Sequence, residues 1–193
     1  MTSIGVILLC AVPVVVTAQP IDSIDVKGKL RFHAEDVYSP MSLVRSAAYA
    51  GILQARDAPY EWGHGGGAFG KRLASTLSYS AIRSTLSFGL DSTLHQDPRY
   101  FRSSSTGFWR RTGHALRGTI MTRTDSGGET LSTWRIGSAY GSAYLSNQWC
   151  PDRLNTVGQG AKQGSLQLVF DFASNLRSEF WPDLKRKLPH RKP

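Results

Sequence analysis

Apolar residues recur at helical spacing along most of the chain. Ser39-Pro40 reads as a helix start, with serine at the N-cap and proline at the first helical position. Met41, Val44, Ala48, Ile52 and Ala55 then mark one helix face up to Ala58-Pro59. A loop from Pro59 to Gly67 leads into the longest periodic segment, about Ala68 to Leu94. Tyr79, Ile82, Leu86, Leu90 and Leu94 form one stripe there, and Leu73, Leu77, Ala81 and Phe88 form a neighbouring one. Two stripes predict a helix contacted on two sides. Segments from Phe108 to about Thr122, Leu131 to Trp149 and Val157 to Trp181 complete the set, the last two stopped by Pro151 and Pro182. Thr124-Asp125-Ser126-Gly127-Gly128 reads as a tight turn.

The expected fold is therefore mainly α, a compact bundle of about five helices. Gly, Ala and Ser recur four apart at Gly66/Gly70, Gly137/Gly141, Ala139/Ala143 and Gly160/Gly164, which predicts packing faces where backbones approach closely. Such faces serve contacts within one chain or between copies, so a homo-oligomer is a second expectation. A small outer-membrane β-barrel is the competing fold, because Leu166, Leu168, Phe170 and Phe172 alternate, as do Leu86, Phe88 and Leu90. The absence of regularly spaced hairpin turns favours the helices.

Ile4 to Val16 has the length of a signal-peptide h-region, and Val16-Thr17-Ala18 offers small residues for cleavage, although no Lys or Arg precedes the run. The expected organisation is a signal peptide at 1–18, an extended lead-in at 19–38, a helical domain at 39–184 and a basic tail at 185–193. Cys10 would leave with the signal, so Cys150 alone remains and no internal disulfide forms. The formal net charge is +9 over 193 residues, and residues 1–18 carry none of it. In an exported protein that balance points to a membrane surface or an anionic envelope polymer; export argues against nucleic acid.

Short motifs that suggest chemistry do not hold. Gly65 to Gly70 spells GxGxxG without a strand before it, and Gly65 to Lys71 matches a phosphate loop until Arg72 replaces the Ser or Thr that would hold magnesium. His64-Gly65-Gly66-Gly67 resembles an esterase oxyanion loop, yet the chain contains no GxSxG. No two histidines of the mature chain share the i, i+4 spacing of a helical zinc site, and no metal or cofactor is expected.

Two constellations remain. Between Pro98 and Thr124 stand Arg99, Arg102, Arg110, Arg111, Arg117 and Arg123, with no Asp or Glu and with Tyr100, Phe101, Phe108 and Trp109 interleaved. Arg99, Arg102, Arg110, Arg111 and Trp109 are the candidate anion- or membrane-binding residues, since guanidinium forks fit phosphate and carboxylate. The competing reading pairs these arginines with Asp91, Asp97, Asp125, Glu129 and Asp171 inside the fold. Secondly, Pro98 forces a helix to stop, leaving His95 and Asp97 at its end. With Asp125 or Glu61 they are the candidate acid–base residues of a periplasmic hydrolase.

Leu94 to Arg102 (LHQDPRYFR), Thr122 to Gly127 (TRTDSG), Ser146-Asn147 followed by Pro151, and Glu179 to Asp183 (EFWPD) together resemble a family of uncharacterised exported bacterial proteins, with the likeness running from about Ser39 to Leu188. The resemblance implies a bacterial envelope protein, in the periplasm or outer membrane, and carries over no catalytic role. The leading expectation is a structural or binding protein held at a membrane or anionic polymer by its arginine–aromatic surface.

Overall fold

The computed structural model describes residues 23–187, so the expected signal peptide and the end of the expected basic tail lie outside the described residues. The architecture is mainly helical: α1 (Val26–Tyr38), α2 (Pro40–Ala55), α3 (Gly66–Thr93), α4 (Phe108–Ile120), α5 (Thr133–Ser146) and α6 (Val157–Lys187). Between α4 and α5, strands β1 (Met121–Arg123) and β2 (Glu129–Leu131) pair antiparallel, Met121 opposite Leu131 and Arg123 opposite Glu129. Helix α3 lies against α1, α2 and α5, and α5 lies between α3 and α6. The long helix is thus contacted on more than one side, as its two stripes predict.

The expected extended lead-in is instead partly helix α1. Asp25 caps it, its carboxylate accepting the Gly28 N–H at 2.8 Å. The face that α1 buries is Lys29, His33 and Val37, four apart. Two of those three are polar, so a search for apolar periodicity passes over the helix. Ser39 caps α2 as expected, accepting the Ser42 N–H at 3.2 Å, with Pro40 in the first turn.

Helix α6 also departs from expectation, running through Pro182 to Lys187. A proline disturbs the carbonyls of the preceding turn. Here the Glu179 carbonyl accepts from Arg102 at 3.2 Å and from Arg111. The helix continues past Pro182 although the proline removes the N–H that would bond the Ser178 carbonyl. Leu166, Leu168, Phe170 and Phe172, whose alternation would suit a barrel strand, lie within α6; the described residues form a helical bundle with one two-stranded sheet.

Small residues set how closely the helices approach, at some of the expected positions. A Cβ on Gly137 would stand 2.9 Å from Leu90 Cδ1, and one on Gly141 would stand 3.1 Å from Leu86 Cδ1. Gly160 and Gly164 lie under the rings of Tyr144 and Tyr140. Gly66 and Gly70 face open space, so that pair is not a packing face.

The core inverts the usual arrangement. Its largest fully buried side chains are Arg72, Lys29, Glu179, Asn147 and Asp91, while its buried apolar residues are mostly alanines. Leu43, Val44 and Ile52 of α2, and Val169 and Phe170 of α6, are exposed. Buried Ser138, Ser142 and Ser146 of α5 satisfy their hydroxyls on carbonyls of their own helix, which lets them serve as small packing residues. Among the described residues no helix is long and apolar enough to cross a membrane.

Candidate functional site

The segment Leu94 to Arg102 ties the bundle together. Helix α3 ends in a Schellman turn: Gln96 N–H donates to the Asp91 carbonyl at 2.9 Å, and His95 takes the left-handed conformation, φ 51°. The chain then runs beside the hairpin. Asp97 N–H donates to the Arg123 carbonyl at 2.8 Å, Asp125 N–H to the His95 carbonyl at 2.8 Å, and Thr122 Oγ1 to the Asp97 carbonyl at 2.8 Å. The buried Gln96 amide donates to the Leu131 carbonyl at 2.9 Å and accepts the Trp134 N–H at 3.2 Å, joining β2 to the first turn of α5.

Farther along, Tyr100, Arg102 and Ser103 all reach Glu179. The Tyr100 hydroxyl donates to Glu179 Oε2 at 2.9 Å, and Ser103 N–H donates to the same oxygen at 3.1 Å. Arg111 donates to Glu179 Oε1 at 3.0 Å and also binds Asp183, its guanidinium lying 4.4 Å from the Phe180 ring centroid. The motif LHQDPRYFR therefore meets TRTDSG at His95 and Asp97 and EFWPD at Tyr100 and Arg102. Burial alone would push the Glu179 carboxyl up, but Arg111, the Ser103 N–H and the Tyr100 hydroxyl outweigh it and hold it below the carboxylate range.

The candidate arginines divide accordingly. Arg111 is committed to Glu179 and Asp183, and Arg99 chelates Asp97 with Nη2 at 2.6 Å from Oδ2. Arg102 is exposed while donating to the Glu179 carbonyl. Arg117 pairs with Glu129 at 2.5 Å, and Arg123 lies 4.3 Å from the Phe101 ring centroid. Arg110 is exposed, and no carboxylate faces it among the described residues. The internal pairing read from sequence holds for Asp97 and Glu129. Asp171 instead takes Arg83, Asp91 takes His33 and Asp125 takes Lys29.

The acid–base candidates do not converge. His95 is 81% exposed and its Nδ1 lies 3.8 Å from Asp125, which is 2.7 Å from Lys29 Nζ. Asp97 faces Arg99, and Glu61 is held by Arg153 at 3.0 and 3.3 Å. What sequence reasoning missed is the buried cluster beside them: His33 Nε2 and Asp91 Oδ2 are 2.5 Å apart, and Lys29 Nζ donates to the Asp91 carbonyl at 3.2 Å. Spacing four apart in Lys29 and His33 was the available signal. Among the described residues no group of three or more His, Cys, Asp or Glu is arranged to hold a metal ion. Half-buried Cys150 has its thiol pushed up by burial.

At the outer side of the Arg111–Glu179 junction the aromatics are exposed. Trp109 is 80% exposed, and Phe108 meets it edge to face and lies tilted against Phe180, with centroids 5.2 and 5.3 Å away. A shallow depression of about 290 Å³ lined by Arg177, Phe180, Trp181, Asp183 and Leu184 continues the surface. The chain matches no protein-family model, no curated protein and no solved structure.

Proposed function

We propose that this protein is a non-enzymatic component of a bacterial cell envelope that attaches to an anionic membrane surface. The observation that carries the reading is a ledge of exposed Phe108, Trp109, Trp181 and Leu184 around half-buried Phe180, with exposed Arg177 along it and exposed Arg110 next to Trp109 in the chain. Aromatic rings favour the headgroup level of a bilayer, where an apolar body and a polar tip are both accommodated. Each arginine held near anionic lipid adds on the order of 1 kcal/mol. Exposed aliphatic residues on α2 and α6 and the formal +9 charge support the same partner.

Arg111 and Glu179 position the ledge rather than touch the membrane, since Arg111 fastens α4 to α6 directly beneath Phe180. Co-sedimentation with phosphatidylglycerol vesicles tests the reading, with phosphatidylcholine vesicles as the neutral reference. Binding to the anionic vesicles is expected, falling at least tenfold in a Trp109→Ala, Arg110→Glu variant and weakening with salt. Unchanged binding by that variant would count against the ledge.

A further inference from the structure

A groove of about 400 Å³ lies between Trp62 and Trp149, floored by Lys71, Ala74, Ser75 and Ser78. It shares no residue with the aromatic ledge and belongs to different elements. Lys71, Ala74, Ser75 and Ser78 occupy one face of α3, because spacings of three, four and seven share a face. Trp62 comes from the 3₁₀ turn Tyr60–Trp62 and Trp149 from the turn Asn147–Trp149. We infer that this groove binds a saccharide bearing a carboxylate or phosphate.

Three observations support the assignment. First, both walls are anchored before any ligand arrives, Trp149 through its own indole and Trp62 through the turn that bears it. Trp149 Nε1 donates to Ser75 Oγ at 2.9 Å. The turn bearing Trp62 is fixed from below by Arg72, fully buried, which donates to the Pro59 and Gly63 carbonyls at 2.9 Å each and to the Ala58 carbonyl at 3.0 Å. From outside, Arg153 binds Glu61 and covers the Tyr60 ring at 4.8 Å from its centroid. A wall fixed in this way loses little freedom on binding.

Second, the chemistry of the lining is that of a sugar site. The C–H faces of a pyranose ring stack on indoles, and the Ser78 hydroxyl, exposed on the floor, can exchange hydrogen bonds with ring hydroxyls. Third, the charge selects an anion. Lys71 is exposed and no carboxylate pairs with it among the described residues, while Glu61, next to Trp62 in the chain, is already taken by Arg153. An ammonium left unpaired between two aromatic walls favours a sugar with an acidic group over a neutral one.

Calorimetry on the whole protein tests this, with trigalacturonate and glucosamine 6-phosphate as acidic probes and maltotriose as the neutral one. Expected is binding of one or both acidic probes, at least tenfold weaker in Lys71→Glu and in Trp62→Ala. Because Trp62→Ala could loosen its turn, Ser78→Arg provides a second route: it fills the groove from an exposed helix position and should abolish binding with the fold intact. Arg110→Glu, on the ledge, should leave sugar binding unchanged, which separates this site from membrane attachment. The two acidic probes distinguish a carboxylated polymer from a phosphorylated headgroup sugar as the source. Absence of binding to both, equal binding of maltotriose, or binding that survives Lys71→Glu and Ser78→Arg would overturn the assignment.

Discussion

Tyr100 and Glu179, 79 positions apart, meet through a hydrogen bond of 2.9 Å beneath the aromatic ledge. Burial and the adjacent Glu179 carboxylate both push the Tyr100 hydroxyl up, so it stays protonated and donates across the whole physiological range. Glu179 is wholly buried and accepts from Tyr100, Ser103 and Arg111 at once. One carboxylate thereby locks the segment after Pro98, the start of α4 and the end of α6 into one unit.

A pH dependence follows from the depressed Glu179 carboxyl. A group whose folded value lies below its unfolded value stabilises the fold fully above the unfolded value, about 4.3 for glutamate. That stabilisation is lost as pH falls through the folded value. Urea denaturation should therefore show stability level near neutrality and declining below about pH 4.5. Glu179→Gln should cost about 1.5–3 kcal/mol at pH 7, because the charged acceptor shared by Tyr100, Ser103 and Arg111 is lost while Arg111 keeps Asp183, and should flatten the acid decline. A variant with the same acid profile as the parent would show that another group governs it.

Arg72 is expected to tolerate no replacement, lysine included. It is fully buried and reaches three backbone carbonyls as well as Gln54 and Asp57, a set that needs the guanidinium fork. Arg72→Lys leaves several buried acceptors unpaired and should cost at least about 3 kcal/mol, read from chemical denaturation. A cost under about 1 kcal/mol would show that the turn carrying Trp62 holds itself.

Two glycines should respond in opposite directions to alanine. Gly164 lies beneath the Tyr140 ring, where a Cβ has no room, so Gly164→Ala should cost about 1–3 kcal/mol. Gly70 is inside α3 with nothing near its missing Cβ, so Gly70→Ala should gain about 0.5–1 kcal/mol from helix propensity. Melting temperatures of the pair decide it, and a loss at both positions would contradict the packing described.

Helix α1 is attached mainly by polar groups, Lys29 to Asp125 and His33 to Asp91. Asp91→Leu should cost roughly 3 kcal/mol by leaving His33 unpartnered in the interior. It should also speed tryptic cleavage after Arg31 ahead of cleavage elsewhere. Uniform digestion kinetics would mean that α1 does not detach on its own.

Much of the fold is legible because capping and periodicity are local. Ser39-Pro40 starts α2 where expected, and the stripes over about Ala68 to Leu94 correspond to α3 (Gly66–Thr93). Pro98 announces that α3 must end, and the end comes at Leu94 with His95 left-handed. The hairpin of β1 and β2 was legible only as its turn, since three-residue strands carry too little alternation to recognise. Of the candidate site, Arg110 and Trp109 are exposed, whereas Arg111 is consumed by Glu179 and Asp183, partners separated from it by 68 and 72 positions.

The sequence by itself determined that the chain folds as helices and where most of them begin, because N-caps, prolines and the 3.6-residue period act over a few neighbouring residues. It also determined the density of arginine and aromatic residues from Pro98 to Thr124. Only the tertiary structure decided which of those cations face outward, that a lysine, an arginine and a glutamate fill the interior, and that Trp62 and Trp149, 87 positions apart, wall one groove. The reason is that a charge goes inside only when its partners are fixed around it, and those partners come from distant parts of the chain.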